Sequence, residues 1–242
     1  MPPILALERV SKRFGTIVVA DGIDLSLGEG EALGIIGPNG AGKTSLFGII
    51  AGTLTVDAGS IFYDGRDITD EAPERRCRLG IARSFQIPLP FGGMTVFENL
   101  VVAAAFGANK REHEVYQSCV ELLKQCGLID KANWRAANLT LLDRKRLELA
   151  RALATEPRVL LLDEVAGGLI EHETTALIAL IRQVRQNGTS IIWIEHVVHA
   201  LVAAIDRLVV LHQGKLIANG EPITTIRQPE VSQIYMGIEP NA

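Results

Sequence analysis

The chain has 242 residues, 48% of them hydrophobic and 21% charged, with a formal net charge of -4. That length suits one sizeable core with room for an insertion, and the acidic balance offers no positive field to a nucleic-acid backbone, so nucleic acid is not an expected partner. Apolar runs such as 96–106 fall short of the roughly 20 residues that span a bilayer, the first residues lack a secretory pattern, and three cysteines without a close pair argue against a disulfide framework; the expected location is the cytoplasm.

In chain order, residues 4–10, 17–27 and 31–36 alternate or cluster apolar side chains between Gly and Asp breaks and read as strands. Glycines interrupt 37–42, and 43–50 carries apolar residues at helical spacing, giving a strand, a glycine loop and a helix in succession. A strand at 60–63 enters a hairpin turn at Asp64-Gly65. From 94 to about 154 the texture is helical, with segments 95–106, 112–126 and 144–154, and Thr95 with Glu98 offers a capping box. Strand and helix then alternate over 159–162, 173–186, 190–194 and 197–205. A late hairpin over 209–217 turns at Gln213-Gly214, and 223–236 reads as a terminal helix.

Gly37-Pro38-Asn39-Gly40-Ala41-Gly42-Lys43-Thr44 fits GxxxxGK[ST] between a buried strand and a helix start. Glycines let backbone N–H groups converge on phosphate oxygens and the helix N-terminus adds favourable potential. Lys43 reaches the β- and γ-phosphates and Thr44 offers a hydroxyl to Mg²⁺. Further on, Val159-Leu160-Leu161-Leu162-Asp163-Glu164 is an apolar strand ending in two acids, at the edge where α/β ligands bind. Asp163 can serve the metal shell and Glu164 can orient or deprotonate an attacking water; two acids at a strand end can also be solvated or cap a helix, and the upstream phosphate loop favours the chemistry. His196 and His199 are close enough to suggest a metal pair, but no Cys or third His lies nearby in sequence.

With Arg83-Ser84-Phe85-Gln86 and Ile194-Glu195-His196 added, these elements closely resemble the ABC ATPases over nearly the whole chain. The resemblance implies MgATP as ligand, with Ser45 beside Thr44 in the phosphate-binding set. It also implies Gln86 as the Q-loop glutamine on Mg²⁺ or water, and His196 as the switch histidine near the γ-phosphate. Outside the family, Gln86 reads as a surface polar residue and His196 as an imidazole satisfied at a strand end. The family places an aromatic ring against adenine where Phe14 stands; a core or hairpin role is its rival. The implied fold is α/β: a P-loop NTPase core (1–86 and 151–242), with an N-terminal antiparallel β portion and an inserted helical subdomain (87–150).

Two departures stand out. The family's signature, close to LSGGQ, falls on Leu139-Thr140-Leu141-Leu142-Asp143, without either glycine. In the family this segment closes over ATP held by the opposite subunit; Thr140 keeps a hydroxyl and can cap the helix, whereas Leu141 and Leu142 put side chains where close backbone approach is expected. After the two acids, Val165 stands where proline is common and Ile170 where Asp or Asn usually ends the D-loop. An asymmetric pair of ATPase chains is therefore expected.

Gln86-Ile87-Pro88-Leu89-Pro90-Phe91, Met94-Thr95-Val96-Phe97-Glu98-Asn99-Leu100, the Ala-Gly-Gly-Leu at 166–169 and the stretch 214–237 resemble the branched-chain amino acid type of importer ATPase. That resemblance implies a second, different ATPase chain, two membrane permease chains, an extracytoplasmic solute-binding protein met indirectly, and a place on the cytoplasmic face of the membrane. The competing readings are a soluble ABC ATPase without membrane subunits and a small-molecule P-loop kinase.

Overall fold

Strand β1 (Leu5–Phe14) pairs antiparallel with β2 (Ile17–Leu27) through register shifts at Leu7/Val10, Val10/Lys12 and Lys12/Arg13, with Arg9 at φ 48. These bulges break the alternation beyond Val10, which is why the sequence suggests a strand ending there while pairing continues to Phe14. The computed structural model describes residues 2–196 and 198–236, apart from the side chains of 199, 200, 235 and 236. Next come β3 (Ala32–Ile36), α1 (Lys43–Ala51), β4 (Ala58–Tyr63), β5 (Arg66–Asp67), α2 (Pro73–Leu79) and β6 (Ile81–Ser84). The helical stretch supplies α3 (Val96–Gly107), α4 (Glu112–Gln125) and α5 (Leu141–Ala154). The chain continues through β7 (Val159–Asp163), α6 (Glu171–Gln186), β8 (Ser190–Ile194) and α7 (Val198–Val202), then β9 (Arg207–His212), β10 (Lys215–Gly220), α8 (Pro222–Ile226) and α9 (Pro229–Met236).

Two sheets result. The N-terminal one has the order β2-β1-β4-β5 and is antiparallel throughout; the second has the order β10-β9-β3-β8-β7-β6, with parallel pairing from β9 to β6 and β10 antiparallel at the edge. A parallel strand has both faces covered, and all five residues of β7 and all five of β8 are buried. Period-two alternation divides them. Leu160, Leu162, Ile191 and Trp193 join one core with α3, α5 and α6, while Val159, Leu161, Ile192 and Ile194 join another with α1 and the antiparallel sheet.

Thr95 and Glu98 form the expected capping box, with Glu98 N to Thr95 Oγ1 at 3.1 Å and Thr95 N to Glu98 Oε2 at 2.7 Å. Other elements differ from expectation. α2 and β6 are additional; buried Arg76 on α2 donates to the carbonyls of Ile49 at 2.7 Å and Ile50 at 2.9 Å, satisfying the C-terminal end of α1. Helix α5 starts at Leu141 rather than 144, capped by Thr140, whose side chain accepts from Asp143 N. The terminal helix is two helices, because the residue before Pro229 is steered out of helical geometry. Residue 197 and residue 237, each named in a sequence expectation, lie outside the described residues.

Candidate nucleotide site

The C-terminal ends of β3, β6, β7 and β8 lie side by side, and the chemistry-bearing residues follow them directly. Beyond β3, the loop 37–42 turns into α1 with Gly42 at φ 105 as its first flanking residue and no side chain capping the helix. The first N–H groups of α1 are therefore open to a phosphate. A Cβ on Gly42 would lie 2.2 Å from the Val19 carbonyl oxygen, and one on Gly37 would lie 2.1 Å from that of Leu211. Glycine is required at both positions by close backbone approach.

Lys43 is buried, and its Nζ donates to the carbonyl oxygens of Gly37 at 2.7 Å and Pro38 at 3.1 Å. Burial lowers the proton affinity of its amine, and the carboxylates of Glu164 and Asp163 act in the opposite direction. Thr44 is exposed and Ser45 half-buried on the first turn of α1, with Asn39 and Gly40 of the loop also exposed. Pro38 is half-buried and Ala41 buried; Ala41 N donates to Pro38 O at 3.2 Å, closing the loop on itself.

Asp163 closes β7 at 2% exposure. Its Oδ2 accepts from Arg83 Nη2 at 2.6 Å, and its Oδ1 is buried with no protein partner. An unpartnered buried carboxylate oxygen is costly unless something cationic meets it. Together with the open Thr44 hydroxyl and the exposed Gln86 amide, it is an oxygen-rich donor set of the kind Mg²⁺ takes.

Gln86, Glu164 and His196 converge although they come from three separate strand ends. Gln86 Nε2 donates to Glu164 Oε2, and His196 Nε2 lies 2.7 Å from Glu164 Oε1. Glu164 has φ 47, and its backbone N–H donates to Ile194 O at 2.9 Å. Phe14 ends β1 at 48% exposure with Lys12 Nζ 5.5 Å from its ring centroid, so it is a hairpin-end ring with an open face and no part of the core. Thr140 is exposed at the start of α5, away from this cluster in sequence and in element, and Leu141 beside it is 49% exposed. Arg83 was legible only as part of a quoted motif; its pairing with Asp163 depends on β6 lying beside β7, which no local pattern encodes.

A glycine loop feeding an uncapped helix, with two acids at the end of β7, one strand removed from β3 in the same sheet, defines a P-loop nucleotide hydrolase with an inserted helical region. A family model described as ABC transporter matches residues 20–167. The chain belongs to that family and is an ATP-binding, ATP-hydrolysing cassette. It is 35% identical to the high-affinity branched-chain amino acid transport ATP-binding protein LivG of Salmonella typhimurium, over 97% of this chain and 98% of that one. It is 34% identical to BraF of Pseudomonas aeruginosa, which carries the same description, with the same coverage. Among solved structures, the ADP conformation of an ATP-binding cassette of an ABC transporter superposes with a TM-score of 0.91 at 30% identity, covering 98% of this chain and 100% of that one. A nucleotide-free cassette from an ABC transporter gives 0.89 at 29% identity, again over 98% and 100%.

Proposed function

We propose that this chain energises an importer of branched-chain amino acids or related small solutes. It would sit on the cytoplasmic face of the membrane with a second, different ATPase chain and two permease chains, and meet an extracytoplasmic solute-binding protein only through them. The relatives support this reading by their names and by similarity over almost the full chain; among the described residues no helix is long and apolar enough to cross a membrane, as suits a chain that docks on others. A soluble, non-transport role has no such support, and the net charge of -4 argues against a nucleic-acid partner.

The observation that carries the catalytic reading is the convergence of Gln86 and His196 on Glu164. In the proposed reaction the loop 37–42, Lys43, Thr44 and Ser45 hold the phosphates of ATP, and Phe14 offers its open face to adenine. Phosphate oxygens are charged acceptors that outcompete the Gly37 and Pro38 carbonyls for Lys43. Asp163 Oδ1, the Thr44 hydroxyl and Gln86 would hold Mg²⁺, which supplies charge neutralisation to the phosphates. Glu164 accepts the proton of the attacking water as its oxygen bonds to the γ-phosphorus and the bond to ADP breaks, leaving ADP and phosphate. Gln86 and His196 fix the direction of that carboxylate. Segments 1–86 and 151–242 act as the nucleotide core and 87–150 as a helical arm, whose Thr140 hydroxyl faces nucleotide held by the partner ATPase.

Affinity purification of the chain from its native membranes in mild detergent tests the assembly. Recovery of two polytopic chains and a second ATPase is the expected result; recovery of soluble partners alone would contradict the importer reading and leave the ATP chemistry untouched.

A further inference from the structure

Beneath Gln86, Glu164 and His196 lies a second group of charges that hydrolysis does not use directly. Lys145, on the second turn of α5, is 6% exposed, and its Nζ donates to the backbone carbonyl of Glu164 at 3.4 Å. Glu195, just past β8, is 1% exposed. Its Oε1 accepts from Ala166 N at 2.7 Å and from Trp193 Nε1 at 3.4 Å, and its Oε2 accepts from His196 N at 3.2 Å. Burial lowers the proton affinity of the Lys145 amine, and the charges of Glu195 and Glu164 offset that loss, which places all three within electrostatic reach of one another.

The turn that these groups grip is a strained one. Glu164 sits at φ 47, a region unfavourable for a residue with a Cβ and held only where its surroundings over-determine it. The turn closes by Gly167 N donating to Glu164 O at 3.2 Å, the same oxygen that Lys145 meets. Relaxing φ to a negative value would rotate the carboxylate away from Gln86 and His196. Burying a charge is costly unless its geometry offsets the loss, and here the two side chains are directed at the Glu164 carbonyl and the Ala166 amide, so stability alone does not account for Lys145 and Glu195.

We infer that Lys145 and Glu195 are positioning residues for hydrolysis. Through the Glu164 carbonyl and the Ala166 amide they hold the turn that aims the Glu164 carboxylate. Because Lys145 rides on α5, the helix capped by Thr140, that aim depends on where the helical arm stands. The inference rests on the proposed role of Glu164.

The test uses the full chain in its co-purified assembly, comparing Lys145→Met, Glu195→Gln, their combination, Lys145→Arg and Glu164→Gln. Each single neutralising change should lower kcat about tenfold with KM for ATP unchanged. The double variant, which removes both buried charges together, should regain the native thermal transition and still show the tenfold loss, while Lys145→Arg stays within twofold of wild type. A double variant that regains both stability and kcat would reduce the pair to a structural role and overturn the inference, as would wild-type kcat in Lys145→Met. Should Lys145→Met not fold, the charge-balanced double variant and Lys145→Arg carry the comparison.

A second readout does not need turnover. In a Trp134→Phe background Trp193 is the one remaining tryptophan of two, and its indole touches Glu195. MgATP should shift its emission in the Glu164→Gln chain and not in the double variant; an equal shift in both would contradict the linkage. Full turnover by Glu164→Gln would instead sink the catalytic assignment, leaving the emission comparison to judge the linkage by itself.

Discussion

Nε2 of His196 lies 2.7 Å from Oε1 of Glu164, joining the loop after β8 to the end of β7. The contact is possible because β7 and β8 pair in parallel, with Asp163 opposite Ile194, so that both chains leave the sheet at the same edge. With Gln86 on the other carboxylate oxygen, Glu164 is held from two sides before any water arrives.

Replacing His196 by Ala removes one of the two contacts that aim the Glu164 carboxylate, and should therefore lower ATP turnover by roughly 10- to 100-fold, a part of the roughly 10²- to 10⁴-fold that a positioned base contributes, and leave nucleotide affinity unchanged. Steady-state kinetics beside equilibrium binding separate the two. Loss of affinity at preserved kcat would mean that His196 serves binding instead.

Backbone approach distinguishes the glycines of the phosphate loop. Gly42→Ala places a Cβ 2.2 Å from the Val19 carbonyl at φ 105, whereas Gly40, at φ 81, has nothing within 4 Å of the same atom. The expected calorimetric result is loss of ATP binding by at least about tenfold in Gly42→Ala, close to 1.4 kcal/mol, and a smaller loss in Gly40→Ala. Equal losses would show that conformation, not space, decides.

Much of this site is legible in the sequence because its signals are local. The phosphate loop is one run of eight residues, the two acids end an unbroken apolar strand, and the Thr95 and Glu98 capping box needs only three residues' separation. Helix α2 was missed because Pro-Glu-Arg-Arg-Cys-Arg-Leu has no apolar stripe; its signals were a proline at its first turn and Gly80 after its end. Strand β6 was missed because four residues, one of them Arg83, give too short an alternation. The Arg83 pairing with Asp163, and the placing of Lys145 and Glu195 under Glu164, depend on tertiary neighbours far apart in sequence, for which no spacing rule exists.

The glycine-free signature invites a gain-of-function test. Leu141 and Leu142 open α5, and Leu141 is 49% exposed, so glycines there cost the helix on the order of 1 kcal/mol each and not the core. In the assembled complex Leu141→Gly with Leu142→Gly should raise ATP turnover at least about twofold if this segment contacts the partner's nucleotide, taking roughly 0.4 kcal/mol off the barrier. Unchanged turnover would show that the leucines do not weaken that contact.

Burial sets the order of thiol reactivity. It pushes the Cys119 thiol up to about 11 and Cys126 up to about 12, while Cys77 is raised but only partly buried. The reactive thiolate is thus scarce at Cys119 and Cys126 at pH 8. Alkylation of the native chain followed by peptide mass spectrometry should find Cys77 modified first, with the other two reacting only after denaturation; early modification of Cys126 would contradict the packing of α4 and α5.

The most direct measurement of the central claim is ATP binding and single-turnover hydrolysis by Glu164→Gln in the assembled complex. The change keeps the shape and the contact surface of the side chain and removes the group that takes the proton. ATP affinity within about twofold of wild type, with hydrolysis reduced by at least two orders of magnitude, is the predicted result. Hydrolysis at the wild-type rate would show that Glu164, despite the convergence of Gln86 and His196 upon it, is not the group that activates water.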